Sequence, residues 1–333
     1  MTTADPVSGL FSRLNALGFK SKYLKRMLPE WWTAEAGKSA SALLELKILF
    51  SRELGLDPAE LLDDNKALHF ALPGHTKFKR SSRVAASDIR CATSVALAVA
   101  RTIGAVAVPH YHAPPSDPNK IRAAILSDGV KWVSFRAVLR YAWESGIPVV
   151  HIKELPDGIP KMDALLSSID GRPVIVLSRA VSQSAWLAFI LAHELGHLAS
   201  GHIAPDELLI DENLEETAGD DKDERDADRF ALTLLGGDPD LRILVKDTPS
   251  ARALAQAAIE RGAALRIDPG HLVLRYAYQS GAWPLAQAAL SLLEPGSHAP
   301  EDIQHGLQHY LDLEALPTDT REFLSKITGL DLA

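Results

Sequence analysis

Ser184-Ala-Trp-Leu-Ala-Phe-Ile-Leu-Ala-His-Glu-Leu-Gly-His-Leu-Ala-Ser-Gly-His202 is apolar without a break from Ala185 to Ala192 and meets a glycine at 201. That is the pattern of a largely buried helix closed by a glycine stop. Helical residues four apart lie on one face, a turn apart, so His193 and His197 present two imidazoles to one point with Glu194 beside them. His-Glu-x-x-His on a helix supplies two metal ligands and a general base from a turn and a half of chain. Two imidazoles and a carboxylate in so apolar a helix cost several kcal/mol unless they are satisfied. A bound zinc ion satisfies them; hydrogen bonding among the side chains is the plainer alternative.

A catalytic zinc needs a third protein ligand and a vacancy for water. The metzincin arrangement is excluded, because Ser200 and Ile203 stand where it needs glycine and histidine. It also needs a methionine downstream, and Met1, Met27 and Met162 all lie upstream. The other common solution is a glutamate on a following helix. Residues 220–237 carry Ala227, Phe230, Ala231, Leu234 and Leu235 as an amphipathic stripe. Extended back one turn, this stripe places Glu224 on the inward face, with Asp228 one turn further on. Asp228 is then placed to hydrogen-bond the distal nitrogen of a ligand histidine. The same acidic residues also suit a solvated first turn, with Asp221 and Glu224 at capping-box spacing. Periodicity therefore leaves Glu224, Asp223 and Asp228 all open as the third ligand. His202, just past the helix, is read as a donor to the tetrahedral oxyanion or as a partner of the helix C-terminus.

His193-Glu-Leu-Gly-His197, preceded by Phe189 and Ala192 and followed 27 residues later by Glu224-x-x-Ala-Asp-x-Phe-Ala231, resembles the ImmA/IrrE metallopeptidases. The likeness extends over about residues 133–237, including the Gly146-Ile-Pro-Val149 and Pro173-Val-Ile-Val176 stretches. Ala188 and Ile190 stand where that family often has arginine and threonine. The resemblance implies that Glu224 is the third zinc ligand. It also implies an endopeptidase whose protein substrate is a helix-turn-helix repressor of the XRE type, cut in a stress or mobile-element response. In the expected mechanism the zinc ion acidifies water and polarises the peptide carbonyl, Glu194 takes the water's proton, and Glu194 then passes it to the leaving amine.

Outward from this helix, Ile147–Ile152 and Arg172–Leu177 read as strands and Val133–Ser145 as a helix closed by Gly146. His110–Pro115 with Pro118 reads as a loop, and the chain after Gly237 returns to alanine- and leucine-rich helices. Residues 8–64 are helical in pattern, with breaks at Gly18, Pro29 and Gly55-Leu-Asp-Pro58. Leu44 to Leu62 resembles the end of XRE-type helix-turn-helix domains in its Leu-Gly-x-x-x-x-Glu-Leu-Leu pattern, although no polar recognition helix is evident between Trp31 and Ser41. The expected fold is α+β and mainly helical, with a small sheet packed beside the zinc helix and helical N- and C-terminal regions. The expected division is an XRE-like helical module over 1–70, a linker over 71–87, a metallopeptidase core over 88–240 and a C-terminal helical region over 241–333.

Composition narrows the setting. Hydrophobic residues make up 47% and charged residues 23% of 333 residues, enough apolar content to bury a core. The single cysteine, Cys91, permits no internal disulfide, and no N-terminal apolar leader is evident; both point to the cytoplasm. The most apolar run, Cys91 to Val108, is broken by Arg101 and Thr102 and falls short of a membrane span of about 20 residues. The net charge of −8 divides into +4 over residues 1–90 and −12 beyond. A basic N-terminal region is compatible with DNA contact through residues 1–90. A DNA-binding regulator or an antitoxin-like protein, with a sensing or vestigial metallopeptidase domain, is the alternative reading.

Overall fold

The computed structural model describes residues 6–73, 76–79, 86–156, 162–179, 183–204, 207–211, 221–243 and 248–332. Four helices come first: α1 (Pro6–Ala16), α2 (Ser21–Met27), α3 (Ala40–Glu53) and α4 (Pro58–Leu62). Strand β1 (Thr76–Lys79) leads to α5 (Ala86–Val106), α6 (Pro118–Ser127) and α7 (Phe135–Glu144). Strands β2 (Val149–His151), β3 (Ala164–Ile169) and β4 (Arg172–Leu177) precede α8 (Ser184–Ala199), which is followed by β5 (Leu208–Asp211) and α9 (Lys222–Gly236). Five helices close the chain: α10 (Ala251–Leu265), α11 (Pro269–Ser280), α12 (Trp283–Leu293), α13 (Ala299–Tyr310) and α14 (Thr318–Thr328). The protein is thus α+β and mainly helical.

The five strands form one sheet in the order β1-β5-β3-β4-β2, with β3 antiparallel to both its neighbours and the outer pairs parallel. Ile169 pairs with Arg172 across Asp170-Gly171, both at positive φ (50° and 77°). A two-residue type I′ turn demands positive φ at both central positions, and Asp-Gly is among its preferred sequences. The stretch expected as a linker over 71–87 supplies the edge strand β1, in parallel register with β5; residues 74–75 and 80–85 of it lie outside the described residues. Pro118, expected in a loop, opens α6 behind the cap Asp117, whose Oδ1 accepts from Asn119 N at 3.0 Å. Proline at a first helical position loses no hydrogen bond.

α8 is buried because it lies between the sheet and other helices. It packs on β3 and β4 on one side and on α7, α9 and α11 on others, which explains a sequence apolar all round. It also joins two hydrophobic cores. The larger runs from Leu10, Phe19 and Phe50 through Val95, Val176, Leu191 and Leu234 to Ile327. The smaller holds α10, α11 and α12 together and takes in Ala185 and Trp186 from the first turn of α8. That turn is capped from the smaller core: Ser184 donates from N to Glu294 Oε2 (2.7 Å) and from Oγ to Glu294 Oε1 (2.6 Å). The N-terminal helices belong to the larger core, together with α5 and α14. Ser94 Oγ, on α5, donates to the carbonyls of Leu54 (2.7 Å) and Gly55 (2.9 Å), and Lys326 Nζ, on α14, donates to Leu28 O (2.7 Å). Between α2 and α3 the described chain forms only a single 3-10 turn, Ala36–Lys38. Among the described residues no helix is long and apolar enough to cross a membrane.

Candidate metal centre

Two helices build the site. α8 contributes His193 and His197; like Glu194, which follows His193 in the chain, both have no exposed surface. α9 contributes Glu224 and Asp228 from its first two turns, and it is fixed at both ends. Asp221 caps its N-terminus, accepting from Asp223 N at 2.9 Å. At the other end the buried Arg122 of α6 donates to the carbonyls of Leu234 (3.1 Å) and Leu235 (2.8 Å), the last-turn groups that a helix leaves without internal partners.

The side chains then converge. His193 Nε2 and His197 Nε2 lie 3.0 Å apart. The Glu224 carboxylate faces both, with Oε2 3.3 Å from His193 Nε2 and Oε1 3.4 Å from His197 Nε2. Among the described residues this is the group of metal-ligating side chains that the fold draws to one point. Behind it, His193 Nδ1 lies 2.9 Å from Asp228 Oδ1. A carboxylate only accepts, so His193 Nδ1 carries the hydrogen and Nε2 keeps its lone pair facing inward. His202 sits behind His197, with the two Nδ1 atoms 2.9 Å apart, and its Nε2 faces Asp223 Oδ1 at 3.6 Å. The three carboxylates that periodicity left open therefore meet three different nitrogen sets, and Glu224 is the one at the convergence point.

The donor set fits a metal ion. A tetrahedral ion with ligands at about 2.0–2.2 Å separates its ligand atoms by about 3.3–3.6 Å. The observed edges of 3.0, 3.3 and 3.4 Å are close to that. Two nitrogens and one carboxylate are a ligand set of catalytic zinc centres, which keep a fourth position open.

Gly196 carries a role that the sequence reading did not assign. A Cβ there would lie 3.0 Å from Ala227 Cα, Ala227 O and Phe230 Cβ. The glycine between His193 and His197 is what lets α9 come close enough for Glu224 to reach them. Its position inside the motif, opposite the stripe that begins at Ala227, was the available clue. Phe189, one turn before His193, lies with its ring centroid 6.3 Å from that imidazole. The other helical histidine pair, His305 and His309, is exposed on α13, as are His110 and His112 in their loop. Asp220 lies outside the described residues. The chain matches no protein-family model and no curated protein.

Proposed function

We propose that this chain is a zinc-dependent endopeptidase of the ImmA/IrrE type, with His193, His197 and Glu224 holding the ion and Glu194 as general base. The observation that carries this reading is the convergence of two imidazole Nε2 atoms and one carboxylate at 3.0–3.4 Å inside a buried helix pair. Zinc in such a site supplies Lewis acidity, polarising a carbonyl and acidifying water. The protein's own part is positional and acid–base. Asp228 orients His193. Glu194, one residue after His193 and one turn before His197, accepts the proton of the attacking water and returns it to the leaving amine. The motif resemblance supports a protein substrate, a helix-turn-helix repressor whose cleavage releases stress or mobile-element genes, with α1 to α4 contributing to its docking.

Protein purified without chelators is expected to carry about one zinc per chain. Incubated with a repressor encoded beside its gene, it should release fragments whose new N-termini locate the cut. Glu194→Gln keeps size and helix propensity but cannot take the proton. It should retain zinc and fold while cleavage falls by about 10²–10⁴-fold. A wild type that neither contains nor takes up zinc, or a Gln variant within a few-fold of wild type, would overturn the assignment.

A further inference from the structure

The two ligand histidines are held differently. His193 leans on a carboxylate, Asp228, at 2.9 Å. His197 leans on a second imidazole: its Nδ1 is 2.9 Å from His202 Nδ1, and the rings stand edge to face with centroids 5.1 Å apart at 64°. The His202 side chain is only 10% exposed, its backbone N–H donates to His197 O at 3.0 Å, and its Nε2 faces Asp223 Oδ1 at 3.6 Å.

Two ring nitrogens 2.9 Å apart admit one hydrogen between them. A neutral imidazole holds its hydrogen on one nitrogen and a lone pair on the other. If His197 is to offer Nε2 to an ion, its hydrogen is on Nδ1 and points at His202. His202 Nδ1 is then the acceptor, and its own hydrogen sits on Nε2, the nitrogen that faces Asp223. The reverse arrangement places a hydrogen on His197 Nε2, where it blocks the ion, and turns a lone pair of His202 toward the Asp223 carboxylate, which is repulsive. Asp223 thus selects the first arrangement. At 3.6 Å its contact is longer than a direct hydrogen bond, so its influence is electrostatic.

We propose that Asp223 and His202 form a relay that fixes the tautomer of His197, making His202 a positioning residue that acts on the metal centre through His197. The proposal rests on the zinc reading above and replaces the oxyanion-donor role read for His202 from the sequence. Both its nitrogens face groups on the side of His197 away from the ligand nitrogen. With Asp228 doing the same for His193, both histidines hold their hydrogens on Nδ1, which leaves the two Nε2 atoms, 3.0 Å apart, and the Glu224 carboxylate to one ion.

The test uses the full-length protein, ¹⁵N-labelled at histidine, loaded with zinc near pH 7. Long-range ¹H–¹⁵N correlation is expected to show His202 neutral with its hydrogen on Nε2 and His197 with its hydrogen on Nδ1. His202→Leu, which removes the acceptor, should raise the zinc dissociation constant by about 10–100-fold in competition with a chromophoric chelator. His202→Asn, which returns an acceptor oxygen near the position of Nδ1, should recover most of that loss. A His202 with its hydrogen on Nδ1, or doubly protonated, in the zinc-loaded protein would overturn the relay alone, as would Leu and Asn variants that bind zinc equally. Failure of the wild type to take up zinc would overturn the metal reading and the relay with it. The tautomer, read in the wild type, does not depend on whether a variant folds.

Discussion

Asp223, Glu224 and Asp228 are carboxylates within six residues of one helix, yet each meets a different partner. Glu224 faces both Nε2 atoms at 3.3 and 3.4 Å, Asp228 lies 2.9 Å from His193 Nδ1, and Asp223 lies 3.6 Å from His202 Nε2. Their removal should therefore weaken zinc binding to different degrees. Glu224→Ala deletes the proposed third ligand and should cost the most. Asp228→Ala frees the ring of His193 without deleting a ligand and should cost about 10–100-fold. Asp223→Ala acts through two imidazoles and should cost least. Chelator competition on the three variants gives the ranking, and an Asp223 or Asp228 variant more impaired than Glu224→Ala would move the third ligand to that residue.

At the scale of elements, the site is a relation between α8 and α9, and the contact that sets it is Gly196 against Ala227. Ala227 meets the glycine with its backbone, at 3.0 Å from both Cα and O to a Cβ built there, so a methyl group has no flexible side-chain end to push aside. Gly196→Ala gains about 1 kcal/mol of helix propensity and loses about 1–3 kcal/mol to overpacking. Thermal stability should consequently change little or fall modestly. Zinc affinity is the sensitive readout: as α9 is displaced it carries Glu224 and Asp228 away from the histidines, and affinity should drop at least about tenfold, a loss of the size produced when supporting contacts are disturbed. A Gly196→Ala protein that binds zinc as tightly as wild type would show that α9 is placed by other contacts, such as Arg122 at its C-terminal end.

At the scale of the whole molecule, the N-terminal helices are tied to the last one, and a buried carboxyl marks that junction. Glu53 of α3 is 4% exposed. Burial pushes its carboxyl up to about 8, with Asp319 and Glu322 of α14 adding to the rise and Arg52 and Lys326 opposing it. In the unfolded chain the same group ionises near 4.5. Below 4.5 both states hold the proton. As pH rises towards 8 the unfolded chain releases a proton that the folded chain keeps, so stability falls across that window. Glu53→Gln removes the dependence. Its melting temperature should match wild type near pH 5 and exceed it near pH 8 by about 2–5 °C. Thermal unfolding followed by circular dichroism checks this, and a gain of equal size at both pH values would mean that Glu53 is ionised in the folded protein.

The sequence by itself determined α8 as a helix and the placing of its two histidines. Its unbroken apolar run made it a buried helix, and i, i+4 spacing placed His193 and His197 on one face, because a single helix's geometry is local and periodic. The same locality explains why α7 and α9 were legible to within two residues at either end. The Asp170-Gly171 turn was equally local, and with Ala164–Ile169 before it the hairpin was there to be read. Strands β1 and β5 were not, since four-residue strands acquire meaning only from the partners that pair with them. Periodicity could not choose among Asp223, Glu224 and Asp228 either. All three lie within a turn and a half, and which of them meets the histidines depends on how closely and at what rotation α9 lies on α8. That is set by Gly196, the Asp221 cap and Arg122, whose contacts to Leu234 and Leu235 span more than a hundred residues of chain. The side of His197 on which His202 lies, and the joining of α1 to α4 with α14 in one core, are likewise decisions of tertiary packing, because they rest on contacts that no local pattern encodes.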